Sequence, residues 1–254
     1  GEPLPLWDYR VPGVTSISAD IHKYGYAAKG ASTITYRSLD LLKYQMFVHT
    51  DWPGGVFASP ALLGTRPGGA YAAAWAAIQH FGKAGYRELA ARTSEAVRRL
   101  RAGIDAIPEL AVLGRPQGPL LAYGSIDKAV NIYAVGDQMD ARGWQVNRLQ
   151  HPDGLHAMVT ARHLDVIDQY LADLQEAVAT VKANPRLADT GSAATYGLLA
   201  HVPLRGMVRQ RVLDMFAGMY RAGGGDLDLN ADDIGGKLPL AERLARWYVK
   251  RKTR

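Results

Sequence analysis

His22 and Lys23 stand side by side in the stretch Ser16-Ile17-Ser18-Ala19-Asp20-Ile21-His22-Lys23-Tyr24-Gly25-Tyr26-Ala27-Ala28-Lys29-Gly30. A lysine on a loop between two buried strands can be desolvated. Desolvation disfavours the ammonium and frees the amine as a nucleophile, one that forms Schiff bases with carbonyl groups. Taken alone, a His-Lys pair in a loop reads first as a solvated surface lysine, as most loop lysines are. A second lysine, Lys29, follows six residues on, past a Gly- and Tyr-rich turn. The other stretch apt for chemistry is Gly64-Thr65-Arg66-Pro67-Gly68-Gly69. It places a hydroxyl and a guanidinium on flexible backbone just before a helix start, where free amides and the helix dipole favour anions such as phosphate. His151, His156 and His163 lie close together, but their spacing matches no zinc pair, so no metal site is expected. The Walker loop, the dinucleotide fingerprint and the nucleophile elbow of serine hydrolases do not occur.

The elements that must position these residues follow from periodicity. Residues 14–19 and 31–36 read as strands on either side of the lysine turn. Residues 50–69 carry Pro53, Pro60 and Pro67 with five glycines and read as a long functional loop, its Trp52 and Phe57 arguing against disorder. Residues 70–81 predict a small-residue helix ended near Gly82, and 85–106 an amphipathic helix. After Pro108 the texture becomes strand (110–113), strand (120–123), helix (130–141), strand (144–149), strand (155–160), helix (164–183). His151-Pro152-Asp153-Gly154 is the hairpin signal between the later strands. This order suggests a small α/β domain. A Met-bearing helix is predicted over 203–221 and a last helix over 238–248. The acidic 226–233 lacks the spacing of a calcium loop.

The bulk composition narrows the function classes. The 254 residues carry a formal charge of +6 and no cysteine, which excludes disulfides, thiolate nucleophiles and Cys-ligated metal sites. Basic residues gather at Lys250-Arg251-Lys252-Thr253-Arg254, which reads as a solvated end, so no nucleic-acid partner is expected. The most apolar run, 70–78, is too short to span a bilayer, and no signal peptide is expected from the N-terminal residues given. A soluble, cytoplasmic protein is the simpler expectation. The proline-stiffened 1–13 looks like a connection arriving from something upstream.

The run from Ser16 to Gly30 closely resembles the cofactor-lysine segment of the sphingosine-1-phosphate lyases, pyridoxal-phosphate enzymes related to the group II amino-acid decarboxylases. The resemblance continues through Tyr44-Gln45, Thr50-Asp51-Trp52-Pro53-Gly54-Gly55, Ala58-Ser59-Pro60 and Gly64-Thr65-Arg66-Pro67-Gly68-Gly69, and again at Gly191-Ser192-Ala193-Ala194-Thr195-Tyr196-Gly197. It implies an α/β fold of the fold-type-I (aspartate-aminotransferase-like) class. Residues 1–84 would be the C-terminal part of the large cofactor-binding domain, 85–189 the small α/β domain and 190–254 a helical extension. It implies that Lys23 carries pyridoxal 5'-phosphate as a Schiff base, that His22 lies near the cofactor phosphate, that Lys29 assists turnover, and that Thr65 helps bind phosphate. The family more often has Ser at the position of Thr65.

The implied reaction is retro-aldol cleavage of a phosphorylated sphingoid base to a long-chain aldehyde and phosphoethanolamine. The alternatives are a group II amino-acid decarboxylase and a catalytically inactive partner subunit. The resemblance also implies a homodimer with sites at its interface. Family members have a large upstream segment that supplies the aspartate at the pyridine nitrogen and the histidine stacked on the ring. That N-terminal half, in the same or a separate chain, is therefore an expected partner, and membrane association would come through it. Without it, residues 1–254 are expected to aggregate and to catalyse nothing, because strands 14–19 and 31–36 would lack cover.

Overall fold

The computed structural model describes residues 4–201 and 205–220. The chain forms two compact units, Gly1–Arg92 and Thr93–Arg254.

The first unit opens with an antiparallel ribbon, β1 (Ser16–Asp20) and β2 (Ser32–Tyr36), in which Asp20 lies opposite Ser32. A short helix, α1 (Leu39–Leu42), capped by the Ser38 hydroxyl, leads through a 3-10 turn into a second ribbon. This ribbon pairs β3 (Phe47–Trp52) with β4 (Gly55–Ser59). The expected irregular loop over 50–69 is thus a hairpin followed by a shorter open segment. The turn explains the difference: Pro53 and Gly54 make it, the Trp52 ring lies against Gly54 so closely that a Cβ there would come within 2.5 Å of it, and Gly55 takes a φ of 107°. Helix α2 (Gly68–Asp105) follows, broken at Gly82, where φ 55° and ψ −172° are not helical. That backbone is open to glycine and strained for any L-residue.

The strands flanking the lysine turn are not buried in this chain: the buried setting read for Lys23 is absent, while the lack of cover expected for these strands is present. No residue of β1 or β2 is buried, and within the described part of this unit only Ala31 and Ala74 are. Each ribbon has two strands, so each strand has one neighbour and the apolar side chains have no second layer.

The second unit takes the α2 residues from Thr93 onward and builds a four-stranded antiparallel sheet of order β5-β6-β8-β7. The strands are β5 (Leu110–Val112), β6 (Leu120–Ser125), β7 (Asn147–Leu149) and β8 (Gly154–Met158). Between them run α3 (Ile132–Ala141), whose first amides are capped by Asn131, and α4 (Ile167–Ala183) after the sheet. The alternation of strands and helices is the one read from periodicity. A single apolar core joins Val97, Leu100 and Ile104 of α2 to Tyr123, Met139, Leu155 and Leu174. Two helices close the described chain, α5 (Gly191–His201) and α6 (Arg205–Met219). The expected helix over 238–248, the acidic 226–233 and the basic 250–254 lie outside the described residues.

Among the described residues, no helix is long and apolar enough to cross a membrane. No cluster of three His, Cys, Asp or Glu residues is placed to hold a metal ion there.

Candidate active site

The β1–β2 hairpin sets out Lys23 on a turn built by its own backbone. Lys23 N–H donates to the Asp20 carbonyl (3.0 Å), Tyr26 N–H to the Lys23 carbonyl (3.0 Å) and Ala27 N–H to the Ile21 carbonyl (3.1 Å). Gly25 makes this possible, since a Cβ there would stand 2.5 Å from the Ile21 carbonyl oxygen. His22 seals the base of the turn: its backbone N–H (3.2 Å) and its Nδ1 (2.8 Å) both donate to the Ala31 carbonyl. With Nδ1 as the donor, a neutral ring offers Nε2 as an acceptor.

The Lys23 amine is exposed and meets Asp20 Oδ2 at 2.7 Å. The cross-strand partner of Asp20, Ser32, donates its hydroxyl to Asp20 Oδ1 (2.5 Å). The Lys23 hydrogen bond, reinforced by that from Ser32, holds the Asp20 carboxyl below its usual range. Asp20 therefore stays ionised and keeps the amine on one side of the turn. Sequence reasoning did not single out Asp20 or Ser32, although an acid three residues before a lysine is a readable signal.

Tyr24 and Tyr26 flank the glycine of the turn. Burial pushes the Tyr24 phenol up, helped by the neighbouring Tyr26. Tyr26 adopts a left-handed φ of 56°, and its hydroxyl is buried with no hydrogen-bond partner. Both are costly: a non-glycine residue in that region costs about 1–2 kcal/mol, and an unsatisfied buried hydroxyl costs about 1–3 kcal/mol. Strain of this kind concentrates at functional turns.

The turn runs along α2. A Cβ at Gly30, the residue after Lys29, would lie 3.4 Å from Ala70 Cβ in the first turn of α2. At the turn's other end the Tyr86 hydroxyl donates to the Gly25 carbonyl (2.8 Å). Lys29 is exposed and lies close in the chain to that contact with the α2 N-terminus. Thr65 is exposed in the open segment just ahead of the same N-terminus, with Arg66 half-buried beside it. Lys23, His22, Asp20 and Ser32 are thus brought together at one hairpin end. Gly30, next to Lys29, meets the start of the helix that Thr65 precedes. Among the described residues no hydrogen bond or ion pair joins Thr65 to the Lys23 turn.

The arrangement can do two things chemically. An exposed amine on a hydrogen-bonded turn can meet a carbonyl compound, and a glycine-flanked hydroxyl and guanidinium ahead of a helix start can meet an anion. The open backbone fits the second role, since a Cβ at Gly64, Gly68 or Gly69 would meet nothing within 4 Å.

Comparison with known proteins shows what the chain resembles. No family model matches the chain. A sphingosine-1-phosphate lyase of Arabidopsis thaliana is 43% identical over 220 residues, covering 87% of this chain and 40% of that protein. The solved sphingosine-1-phosphate lyase of Burkholderia pseudomallei superposes with a TM-score of 0.69 at 41% identity, covering 84% of this chain and 44% of that one. A glutamate decarboxylase of Lactobacillus brevis superposes with a TM-score of 0.60 at 23% identity, a likeness of fold. The chain therefore has the α/β fold of fold-type-I pyridoxal-phosphate enzymes. It spans about two fifths of the length of the relatives it matches.

Proposed function

We propose, taking as premise that this chain is a homologue of the sphingosine-1-phosphate lyases over most of its length, that it forms the lysine-bearing part of such an enzyme. The enzyme would cleave a phosphorylated sphingoid base to a long-chain aldehyde and phosphoethanolamine. The observation that carries the reading is Lys23: an exposed amine on a strained, glycine-dependent turn, within a motif that resembles the cofactor-lysine segment of these lyases.

The residues present fit pyridoxal 5'-phosphate on the attachment side. Lys23 would hold its aldehyde carbon, and His22 would lie near the phosphate. Thr65 and Arg66, ahead of the α2 N-terminus, would supply donors to a phosphate. When bound, the cofactor supplies the electron sink for breaking a carbon–carbon bond. Asp20, oriented by Ser32, holds the Lys23 ammonium to one side of the turn whenever that amine is not engaged. Lys29, a second cation on the same turn, holds a substrate phosphate or moves a proton. We assign residues 1–84 to the large domain, 85–189 to the small domain and 190–254 to a helical extension.

The exposed apolar side chains of the first unit support the expected partners. Trp52, Val56, Phe57, Leu62, Tyr71 and Trp75 all face outward. Monomeric proteins seldom leave such sets open. The relatives are more than twice as long as the matched region. We infer that the residues they have beyond it, together with a second subunit, cover these faces and complete the site.

The test is borohydride reduction of the pyridoxal-phosphate-loaded full-length protein, followed by peptide mapping. The pyridoxyl mass should fall on Lys23, and Lys23→Ala should abolish turnover. Product analysis with a phosphorylated sphingoid base should give aldehyde and phosphoethanolamine. Release of carbon dioxide from an amino acid would instead indicate a decarboxylase, and label on Lys29 would overturn the lysine assignment.

A further inference from the structure

The break in α2 at Gly82 is not imposed by crowding, since a Cβ there would meet nothing within 4 Å. Its effect is to re-aim the residues on either side. Phe81 and Tyr86 are five positions apart, which on an unbroken helix sets them about 140° apart around the axis. Such side chains point to different faces. Here their rings lie 5.4 Å apart, and Phe81 also reaches the Tyr26 ring at 6.0 Å. The break thus gathers Phe81 and Tyr86 against the far side of the turn that carries Lys23. From there the Tyr86 hydroxyl donates to the Gly25 carbonyl at 2.8 Å, across 61 residues of sequence.

We propose that Tyr86 is a positioning residue for Lys23, its hydroxyl fixing the Gly25 peptide and thereby the reach of the Lys23 amine. The proposal rests on the reading of Lys23 as the cofactor lysine.

Three observations make this bond matter. The hydrogen bonds from the amides of Lys23, Tyr26 and Ala27 all close within residues 20–27, and those of His22 close the base of the hairpin on Ala31. The unit has little core to hold the turn instead, only Ala31 and Ala74 being buried in its described part. Tyr26 beside Gly25 sits in a strained left-handed conformation that must be held by its surroundings. Phe81 packs on that ring from one side, and Tyr86 ties down the peptide immediately before it. Released from Tyr86, the Gly25–Tyr26 peptide can relax toward unstrained geometry. The Lys23 amine then loses its fixed origin, and Lys29, at the other end of the same turn, becomes an equal competitor for an aldehyde.

Two measurements on the full-length protein test this, using Tyr86→Phe, which keeps the ring packed at a tilt on Phe81 and removes the hydroxyl. In hydrogen exchange without cofactor, the amides of residues 23–27 should exchange at least tenfold faster in the variant, with the amides of the second unit unchanged. After loading with pyridoxal phosphate and borohydride reduction, the unsubstituted protein should carry its label on Lys23. The variant should shift a measurable share to Lys29 and alter the visible absorbance of the bound cofactor. Gly82→Ala, which disfavours the break, should produce the same shift of label.

Equal exchange and an equal Lys23-to-Lys29 ratio in Tyr86→Phe would overturn the proposal. If the unsubstituted protein is not labelled on Lys23, the cofactor reading fails. The exchange comparison would still report separately whether Tyr86 fixes the turn.

Discussion

Trp75 of the first unit and Tyr123 of the second are both large aromatics on regular elements, yet Trp75 is 66% exposed and Tyr123 is fully buried. The contrast extends to the units as wholes. The second closes a sheet of four strands with helices and one continuous core. The first holds two separate two-stranded ribbons and a broken helix, with its apolar side chains outward. The difference lies in the number of strands and layers, since both units are rich in apolar residues. A ribbon of two strands has nothing to bury its faces against, whereas a four-stranded sheet carrying α3 and α4 does. The unit bearing Lys23 is thus the one whose packing is unfinished within this chain.

Paired truncations test that contrast most strongly. Tyr123 fills the sheet–helix core and exchanges a hydrogen bond with Tyr170 (2.6 Å). Tyr123→Ala should cost about 3–5 kcal/mol, the range for deleting a buried aromatic ring. Trp75→Ala should change stability by no more than about 0.5 kcal/mol in this chain, as for other exposed sites. Denaturant unfolding of the two variants measures both. If Trp75→Ala costs as much as Tyr123→Ala, the first unit has a core that its exposed surface conceals. Trp75→Ala should also reduce self-association, read by sedimentation, because it removes exposed apolar area.

One ion pair from each unit shows the same contrast. Arg148 is 8% exposed and bridges Asp137 (2.5 Å) and Asp140 (2.7 Å). Its guanidinium also lies over the Tyr196 ring of α5. Asp137 in turn accepts from Ala193 N–H at the start of α5 (2.8 Å), so this network anchors that helix. Arg148→Ala should cost roughly 3 kcal/mol, because it leaves Asp137 half-buried and without its partner. Exchange at the first amides of α5 should quicken in the same variant. The Lys23–Asp20 pair is open to solvent, and Asp20→Asn should leave the unfolding midpoint unchanged while freeing the Lys23 amine. A fall in the midpoint with Asp20→Asn would show that the hairpin depends on this pair for its fold.

The same contrast explains what could be read from the residues alone. The strands and helices of 110–183 follow their periodicity because each buries a face against a core in the same segment. The hairpin at 47–59 was hidden: Pro53 and three nearby glycines and prolines read as loop, and no alternation survives when both faces of a ribbon are exposed. Helix α5 was hidden by its small residues, Gly191, Ser192, Ala193 and Ala194, which make no apolar stripe. For the site, Lys23, His22, Lys29 and Thr65 stood out by motif, and Asp20 was close enough in sequence to be found. Tyr86 was not legible. Its contact with Gly25 exists through a backbone angle at Gly82 that no residue pattern states.

The mildest test concerns a surface cluster of the second unit and works through pH. Lys182 pairs with Glu109 (2.8 Å) and with Asp127 (3.1 Å). The Lys182 hydrogen bond holds the Glu109 carboxyl below its usual range. Asp127 is held low first by the Ala129 amide and then by Lys182. The same contacts, Glu109 first, raise Lys182. A carboxyl with a lowered folded pKa stabilises the fold above its unfolded value, about 4 for these groups, and loses that contribution as pH falls through the folded value. A raised lysine contributes fully below its unfolded value, about 10.4, and loses its part as pH rises through the folded one. The cluster therefore stabilises the unit in the window between these limits and at neither extreme. Lys182→Ala should lower the unfolding temperature slightly near pH 7. It should make no difference near pH 2, where both carboxyls are protonated, nor in strong alkali, where the lysine is neutral. Added salt should shrink the neutral-pH effect, since Lys182 is exposed and its half-buried partners remain within reach of screening ions. A difference that persists at pH 2 would mean that the Lys182 chain contributes through packing of its methylenes and not through charge.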